Sequence, residues 1–142
     1  MRWILLDEIL LIKKGKKALS LTHAFKPEFS LEVLMIEMMA QTGGLLLGAE
    51  TDFQKDLVFT KLESAEFLMK PQAEEKLWVE ATSDHLKPEG AWLEGSIRNS
   101  EMEIAKSRFL LMNVGLLLPE TKKPVTFNEH FMSHFKVIEK LQ

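Results

Sequence analysis

The stretch from Ser30 to Gly48, which reads S-L-E-V-L-M-I-E-M-M-A-Q-T-G-G-L-L-L-G, decides the fold. Ser30 can cap a helix, because its hydroxyl can accept a hydrogen bond from one of the first free backbone N–H groups. The residues after it contain no proline and few β-branched side chains, so the pattern predicts a helix over 31–47. Leucine, valine, methionine, isoleucine and alanine cover nearly its whole circumference, which is typical of a helix enclosed in a domain.

One face of this helix carries polar and small residues. Glu37 and Gln41 are four residues apart, and Gly44 and Gly48 continue the same face. A buried carboxylate is unfavourable unless it is paired, hydrogen-bonded or protonated. In one interpretation Glu37 reaches a cleft or subunit seam and accepts hydrogen bonds from backbone donors. In the other, apolar surroundings raise its pKa, so that it can serve as an acid near neutral pH.

Composition limits the classes of function. A chain of 142 residues predicts one domain, and a net charge of −3 argues against a general nucleic-acid binder. The absence of cysteine excludes disulfides, thiolate metal sites and cysteine nucleophiles, and it is compatible with the cytoplasmic location that we expect. The apolar start is interrupted by Asp7 and Glu8, too early for a signal-peptide core, and no uncharged apolar run is long enough to span a bilayer.

The order of elements predicts an α+β fold. Two apolar runs, 3–12 and 18–25, form a hairpin around Gly15, and Pro27 ends the second strand before the helix begins. After the helix the alternating segments are 57–62, 65–69, 76–86, 91–98 and 102–114. One sheet curling around one helix accommodates this order with the fewest crossings.

The last part of the chain, residues 116–142, reads as a linker followed by an amphipathic helix over 126–141. We expect this helix to pack against the sheet or against a partner subunit. His130 and His134 are four residues apart, a spacing that could hold a metal. No third ligand is nearby in sequence, so we predict no metal site.

The segment from Glu37 to Gly44, E-M-M-A-Q-T-G-G, resembles the central-helix motif of the 3-hydroxyacyl-acyl-carrier-protein dehydratases, which adopt the hotdog fold. The residues 2–7 (R-W-I-L-L-D) and 65–67 (A-E-F) also resemble parts of that family. The resemblance covers about residues 2–114. It implies a hotdog domain over 1–115, with one central helix wrapped by a curved antiparallel sheet, followed by a tail that has no counterpart in the family.

The resemblance also implies a function. Such an enzyme dehydrates 3-hydroxyacyl thioesters, carried by acyl carrier protein or coenzyme A, to trans-2-enoyl thioesters in fatty-acid or related lipid synthesis. It needs no cofactor, and it forms a homodimer that can assemble further into a dimer of dimers or a trimer of dimers. The resemblance makes Glu37 the acid and His23, fourteen residues earlier, the base. The substrate-binding residues that we expect are Gln41, Gly44, Phe25 and Lys26.

The chain departs from the family after His23, where it reads H-A-F-K-P-E-F-S-L-E. The glycines that let backbone approach the thioester are missing there. If residues were lost before His23, the histidine keeps its role; if they were lost after it, His23 belongs to the second strand and the catalytic loop is gone. Two alternatives therefore stay open: an acyl-thioester-binding protein without activity, and a thioesterase in which Glu37 activates water.

Overall fold

A computed structural model describes residues 4–25 and 30–142 of the chain. In chain order the elements are β1 (Glu8–Lys13), β2 (Lys17–His23), α1 (Leu31–Ala49), β3 (Asp56–Phe67), β4 (Lys76–Lys87), β5 (Gly90–Arg98), β6 (Glu103–Gly115) and α2 (Glu129–His134). Short 3-10 turns at Pro119–Thr121 and Val137–Lys140 precede and follow α2.

The six strands form one antiparallel sheet in the order β1-β2-β4-β5-β6-β3. The helix α1 follows β2 in the chain and contacts every strand of the sheet. Side chains alternate between the two faces of a strand, and in β4 Leu77, Val79 and Ala81 are the buried set. One helix packed on a single antiparallel sheet confirms the predicted α+β architecture.

The helix α1 begins where its sequence predicts. The Ser30 hydroxyl accepts a hydrogen bond from the Val33 backbone N–H at 3.5 Å, and the helix ends at Ala49. By length and composition alone this helix could cross a membrane, but 61% of its most apolar window is buried within the fold. Because it also contacts all six strands, it is the core helix of the domain.

The strand β3 continues through a predicted break. The sequence pattern suggested separate strands over 57–62 and 65–69, whereas the structure has one strand. Its register against β6 shifts between Leu62 and Ser64, so the expected break is a β-bulge. Strand β3 remains paired with β6 before and after the bulge, which is why polar residues there do not end the strand.

The first hairpin is shorter than predicted. β1 begins at Glu8, and β2 ends at His23, two residues before Phe25. Trp3 and Pro27, which the prediction used as its limits, lie outside the described residues.

The predicted helix over 126–141 is wrong in its length. Asn128 caps the observed helix α2, because its side-chain oxygen accepts a hydrogen bond from the Phe131 N–H at 2.9 Å. Lys136 then adopts a left-handed backbone conformation, with φ of 51°, which ends the helix after six residues.

Residues 116–142, called the tail below, pack onto the same core as the sheet. Leu141 forms a parallel bridge with Ile12 of β1, and the Gln142 N–H donates to the Ile12 carbonyl at 2.9 Å. The tail residues with buried side chains are Phe127, Phe135 and Val137.

Asp56, a buried carboxylate at the start of β3, anchors the tail. Its Oδ1 accepts hydrogen bonds from the N–H groups of Val125 and Thr126, both at 2.7 Å, and its Oδ2 accepts one from Leu117 N–H at 2.8 Å. Burial by itself raises the pKa of Asp56, but these backbone donors and the Thr126 side chain outweigh it, so the pKa lies below its usual 3.8.

Candidate active site at Glu37

Glu37 and Gln41 lie one helical turn apart on α1 and are hydrogen-bonded to each other. The Gln41 Nε2 donates to Glu37 Oε1 at 3.0 Å, and the Gln41 Oε1 accepts from the Leu5 backbone N–H at 2.9 Å. Because its amide is held at both ends, Gln41 orients the Glu37 carboxylate. The second carboxylate oxygen of Glu37 is then the one available to a ligand.

A cavity of about 260 Å³ lies beside this pair. The residues that line it come from helix α1, strands β3 and β6, the tail and the segment before β1. Besides Glu37 and Gln41 they are Ile4, Ala40, Gly44, Leu57, Val58, Phe59, Leu111, Thr126, Phe127 and Phe131. Among these described lining residues Glu37 is the only one with an ionisable side chain. An apolar cavity with one or two oriented polar groups is the usual form of a small-molecule site.

Glu37 lies at the mouth of the cavity. The side chain is exposed in the protomer, so the expectation of an enclosed carboxylate is wrong for a single copy of the chain. The physical reason is that the sheet does not cover this side of α1 near its start: Val33, one turn earlier on the same face, is 60% exposed. Gly44 and Gly48, further along the face, are buried, and Gly44 lines the cavity as predicted.

The inner end of this face is closed by an aromatic ring. A Cβ atom added at Gly48 would lie 2.5 Å from Cζ of Phe127 and 2.9 Å from Cδ1 of Phe53. Only glycine therefore lets the Phe127 ring lie directly on the helix. At Gly44 the nearest atom to such a Cβ is Leu57 Cδ1 at 3.7 Å, an ordinary contact distance that leaves space beside it.

His23 is the last residue of β2 and has its own set of partners. Its Nδ1 lies 2.7 Å from Asp7 Oδ2, its Nε2 lies 4.0 Å from Glu74 Oε2, and its ring lies 4.5 Å from that of Phe25. A carboxylate beside Nδ1 favours the tautomer with the proton on that nitrogen, which leaves Nε2 as a potential proton acceptor.

The structure does not bring His23 to Glu37 within one protomer. Ala18, Ser20 and Thr22 are the buried residues of β2, so strand alternation places His23 on the opposite face from the core and α1. Neither His23 nor Phe25 is among the described residues that line the Glu37 cavity, and Lys26 lies outside the described residues. This position of His23, within β2, corresponds to the alternative in which residues were lost after it.

Sequence reasoning missed the contribution of the tail to the cavity. Thr126, Phe127 and Phe131 form part of its wall. The apolar spacing in the tail indicated that it packs somewhere, but nothing local pointed to the polar face of α1. His130 and His134 stack with ring centroids 5.8 Å apart, and within residues 4–25 and 30–142 no group of three or more His, Cys, Asp or Glu side chains could hold a metal ion.

Comparison with known proteins shows the fold. No protein-family model and no curated protein sequence matches the chain. Among solved structures it is similar to smu.793 from Streptococcus mutans UA159 bound to acetyl CoA, with 16% identity, a TM-score of 0.62 and coverage of 76% of this chain and 88% of the other. A hypothetical thioesterase protein with coenzyme A from Streptococcus pneumoniae TIGR4 is similar at 17% identity and a TM-score of 0.62, with the same coverage of both chains.

A third similar structure is the dehydratase heterocomplex ApeI:P from Xenorhabdus doucetiae, with 12% identity, a TM-score of 0.66 and coverage of 78% of this chain and 83% of the other. Similarity at these identities establishes the architecture and not the activity. The chain adopts the hotdog fold.

Proposed function

We propose that this protein is an acyl-thioester-processing enzyme that places the acyl chain in the Glu37 cavity and uses the Glu37 carboxyl group for proton transfer. The observation that carries the proposal is an oriented carboxylate at the mouth of an otherwise apolar cavity. Similar structures that contain acetyl CoA or coenzyme A, or that are described as a thioesterase or a dehydratase, support the same class of substrate.

The reaction that we propose is dehydration of a 3-hydroxyacyl thioester. A base removes the C2 proton, the C3–O bond breaks, and the departing hydroxyl takes a proton and leaves as water. Glu37 would supply that proton through the carboxyl oxygen that Gln41 does not occupy. The motif over 37–44 that resembles the dehydratases supports this choice, because the observed Gln41 to Glu37 hydrogen bond gives its two polar residues a joint role.

The base that we propose is His23 of a second copy of the chain. Asp7 orients its imidazole, which suits a proton acceptor, but strand alternation directs it away from α1 of its own protomer. A composite site needs an interface close to the cavity, and the β3 edge is the one that we propose. Because β2 lies four strands from β3 in the sheet order, the site also requires that the partner bound there reach the cavity with the face of β2 that carries His23.

Strand β3 is an edge of the sheet that no described residue pairs on its outer side. It is twelve residues long and exposes Phe59 and Leu62, whereas the opposite edge, β1, is bridged by Leu141. A long apolar edge strand is a template for pairing with another chain. Because Phe59 also lines the cavity, a homodimer formed through β3 would border the cavity and cover Glu37.

Hydrolysis of the thioester is the second candidate. It is favoured by the observation that Glu37 is the only ionisable side chain among the described lining residues. One carboxylate can act as a general base for water, which attacks the thioester carbonyl and releases the thiol. This reaction needs no histidine at the cavity.

Product analysis tests the proposal. The protein is supplied with 3-hydroxyacyl thioesters of coenzyme A and of acyl carrier protein, and enoyl thioester and free thiol are measured together. We expect enoyl product, and Glu37→Gln should lower kcat by at least about 100-fold while thioester affinity is retained. Glu32→Gln, an exposed carboxylate of the same helix that does not line the cavity, is the matched control.

Other products would overturn the dehydratase proposal. Free thiol from acyl thioesters that lack a 3-hydroxyl would identify a thioesterase. Binding without either product would identify a thioester-binding protein, and it would contradict the enzymatic proposal altogether.

Subunit mixing tests the role of His23. His23→Ala and Glu37→Gln proteins should each be inactive, and a mixture that exchanges subunits should recover about one quarter of the wild-type rate, because half of its dimers carry one intact composite site. A His23→Ala protein with the wild-type rate would remove His23 from the mechanism.

A further inference from the structure

Resting on the proposed function, we propose that the tail closes the inner end of the Glu37 cavity and limits the length of the acyl chain that fits, through an aromatic wall formed by Phe127 and Phe131. The tail follows the last strand, β6, and packs onto the same core as the sheet. It contributes Thr126, Phe127 and Phe131 to the cavity wall.

The geometry of α1 gives the direction of the cavity. Glu37 lies at its mouth, Gly44 lines its middle, and the Phe127 ring covers Gly48 at its far end. At a rise of about 1.5 Å per residue, Glu37 and Gly48 are about 16 Å apart along the helix. A chain that enters beside Glu37 therefore meets an aromatic wall within about three helical turns. The volume of about 260 Å³ is also at the small end for a ligand site.

The wall is fixed at several points. Asp56 holds the backbone N–H groups of Val125 and Thr126, and the Thr126 hydroxyl accepts a hydrogen bond from Leu57 N–H at 3.4 Å. Further along, the bridge between Leu141 and Ile12 holds the end of the tail on β1. A ligand would have to break these contacts to move the tail aside, so the tail is a permanent wall.

Aromatic contacts place Phe131 in this wall without burying it completely. Its ring centroid lies 5.8 Å from that of Phe127 and 4.9 Å from that of Phe135. Phe127 is 5% exposed and packs on Gly48 and Phe53, whereas Phe131 is only half-buried. Phe131 can therefore be shortened with less damage to the core than Phe127.

A series of S-alkyl coenzyme A thioethers from ethyl to octadecyl tests this limit, because thioethers bind but can be neither dehydrated nor hydrolysed. Each methylene that enters an apolar cavity lowers Kd about fourfold, and the gain stops when the chain reaches a wall. Wild-type protein should show this gain up to a limiting length and no further. In Phe131→Ala the gain should continue for further methylenes, and in Phe131→Leu for fewer.

Phe135→Ala is the matched control. Phe135 belongs to the same tail and contacts Phe131, but it does not line the Glu37 cavity. It lines only the neighbouring cavity beside His130 and His134, whose wall Phe131 shares. The limiting length of Phe135→Ala should equal that of wild type. Thermal unfolding of each variant shows that it is folded, and Phe131→Leu carries the test where Phe131→Ala does not fold.

The outcomes separate this inference from the proposed function. If wild type binds the thioethers with a limiting length that neither Phe131 variant changes, the tail does not set the limit and only this inference fails. Affinity that rises without limit in wild type would also overturn it. If wild type binds no thioether of any length, the proposed function fails, and this inference fails with it.

Discussion

Replacing Asp56 with asparagine should destabilise the protein by about 3 kcal/mol, because Asp56 anchors the tail through charge-assisted hydrogen bonds. Asparagine can keep an oxygen at the position of Oδ1, which accepts from Val125 and Thr126. It then presents an NH2 group at the position of Oδ2, where Leu117 also presents an N–H. One charge-assisted hydrogen bond is lost, two donors face each other in a buried site, and the remaining two bonds lose the charge on their acceptor.

Thermal unfolding at neutral pH measures this cost. For a domain of this size about 3 kcal/mol corresponds to a decrease in Tm of about 10 °C. Asp84→Asn, the same substitution at an exposed position of β4, is the control and should change the free energy of unfolding by less than about 0.5 kcal/mol.

The pH dependence gives a second, independent readout. The pKa of Asp56 is lowered in the folded state from its usual 3.8, so the unfolded state takes up the proton first as the pH falls. The contribution of Asp56 to stability is therefore fully present above about pH 5 and is lost as the pH falls through the folded-state pKa. The difference between wild type and Asp56→Asn should be constant between about pH 5 and pH 8 and should shrink below the usual pKa. Equal Tm values for the Asp56→Asn and Asp84→Asn proteins, or a difference that persists undiminished in acid, would refute this account of the anchor.

Three further predictions concern helix α1 and strand β3. Gly48→Ala should lower the free energy of unfolding by about 1–3 kcal/mol, because a Cβ there overlaps the Phe127 ring. Gly44→Ala should leave it unchanged or raise it by up to about 1 kcal/mol, because a Cβ there has space and alanine favours the helix. Urea unfolding compares the two variants. Gln41→Ala should lower kcat about tenfold, because Glu37 loses the hydrogen bond that orients it, and steady-state kinetics measures this effect. It should also lower the free energy of unfolding by about 1–3 kcal/mol, because the Leu5 backbone N–H loses its acceptor, and urea unfolding measures this cost. Leu62→Lys, which places a charge on the exposed β3 edge, should weaken the proposed homodimer, and sedimentation should show a larger share of monomer.

Local patterns were sufficient for the central helix and for most of the strands. The Ser30 cap and the long run without proline placed α1, and alternation of apolar residues placed the strands after it. Alternation could not show that the residues between Leu62 and Ser64 form a bulge, because a bulge and a turn share the same polar composition. It also could not show that β3 crosses to the far edge beside β6, since that neighbour relation is formed between distant parts of the chain.

The candidate site was predictable only along the helix. The four-residue spacing of Glu37 and Gln41 implied their contact, and the structure contains it. The position of His23 could be counted in residues, but the side of the sheet on which it lies depends on the register of β2 against β4. The exposure of Glu37 depends on how far the sheet extends past α1, which no local pattern encodes.

The two glycines on the Glu37 face of α1 have opposite consequences, and together they define the cavity. The space beside Gly44 is left open, so it becomes part of the cavity, whereas the space beside Gly48 is filled by Phe127 from the tail. Without the tail, the groove along this face would be longer by about one helical turn, roughly 5 Å. The Glu37 end of the cavity therefore depends on residues within one turn of α1, while its length depends on packing between α1 and a segment far along the chain. If the proposed function is correct, substitutions in the tail should then change which acyl chains fit without changing the Glu37 carboxylate.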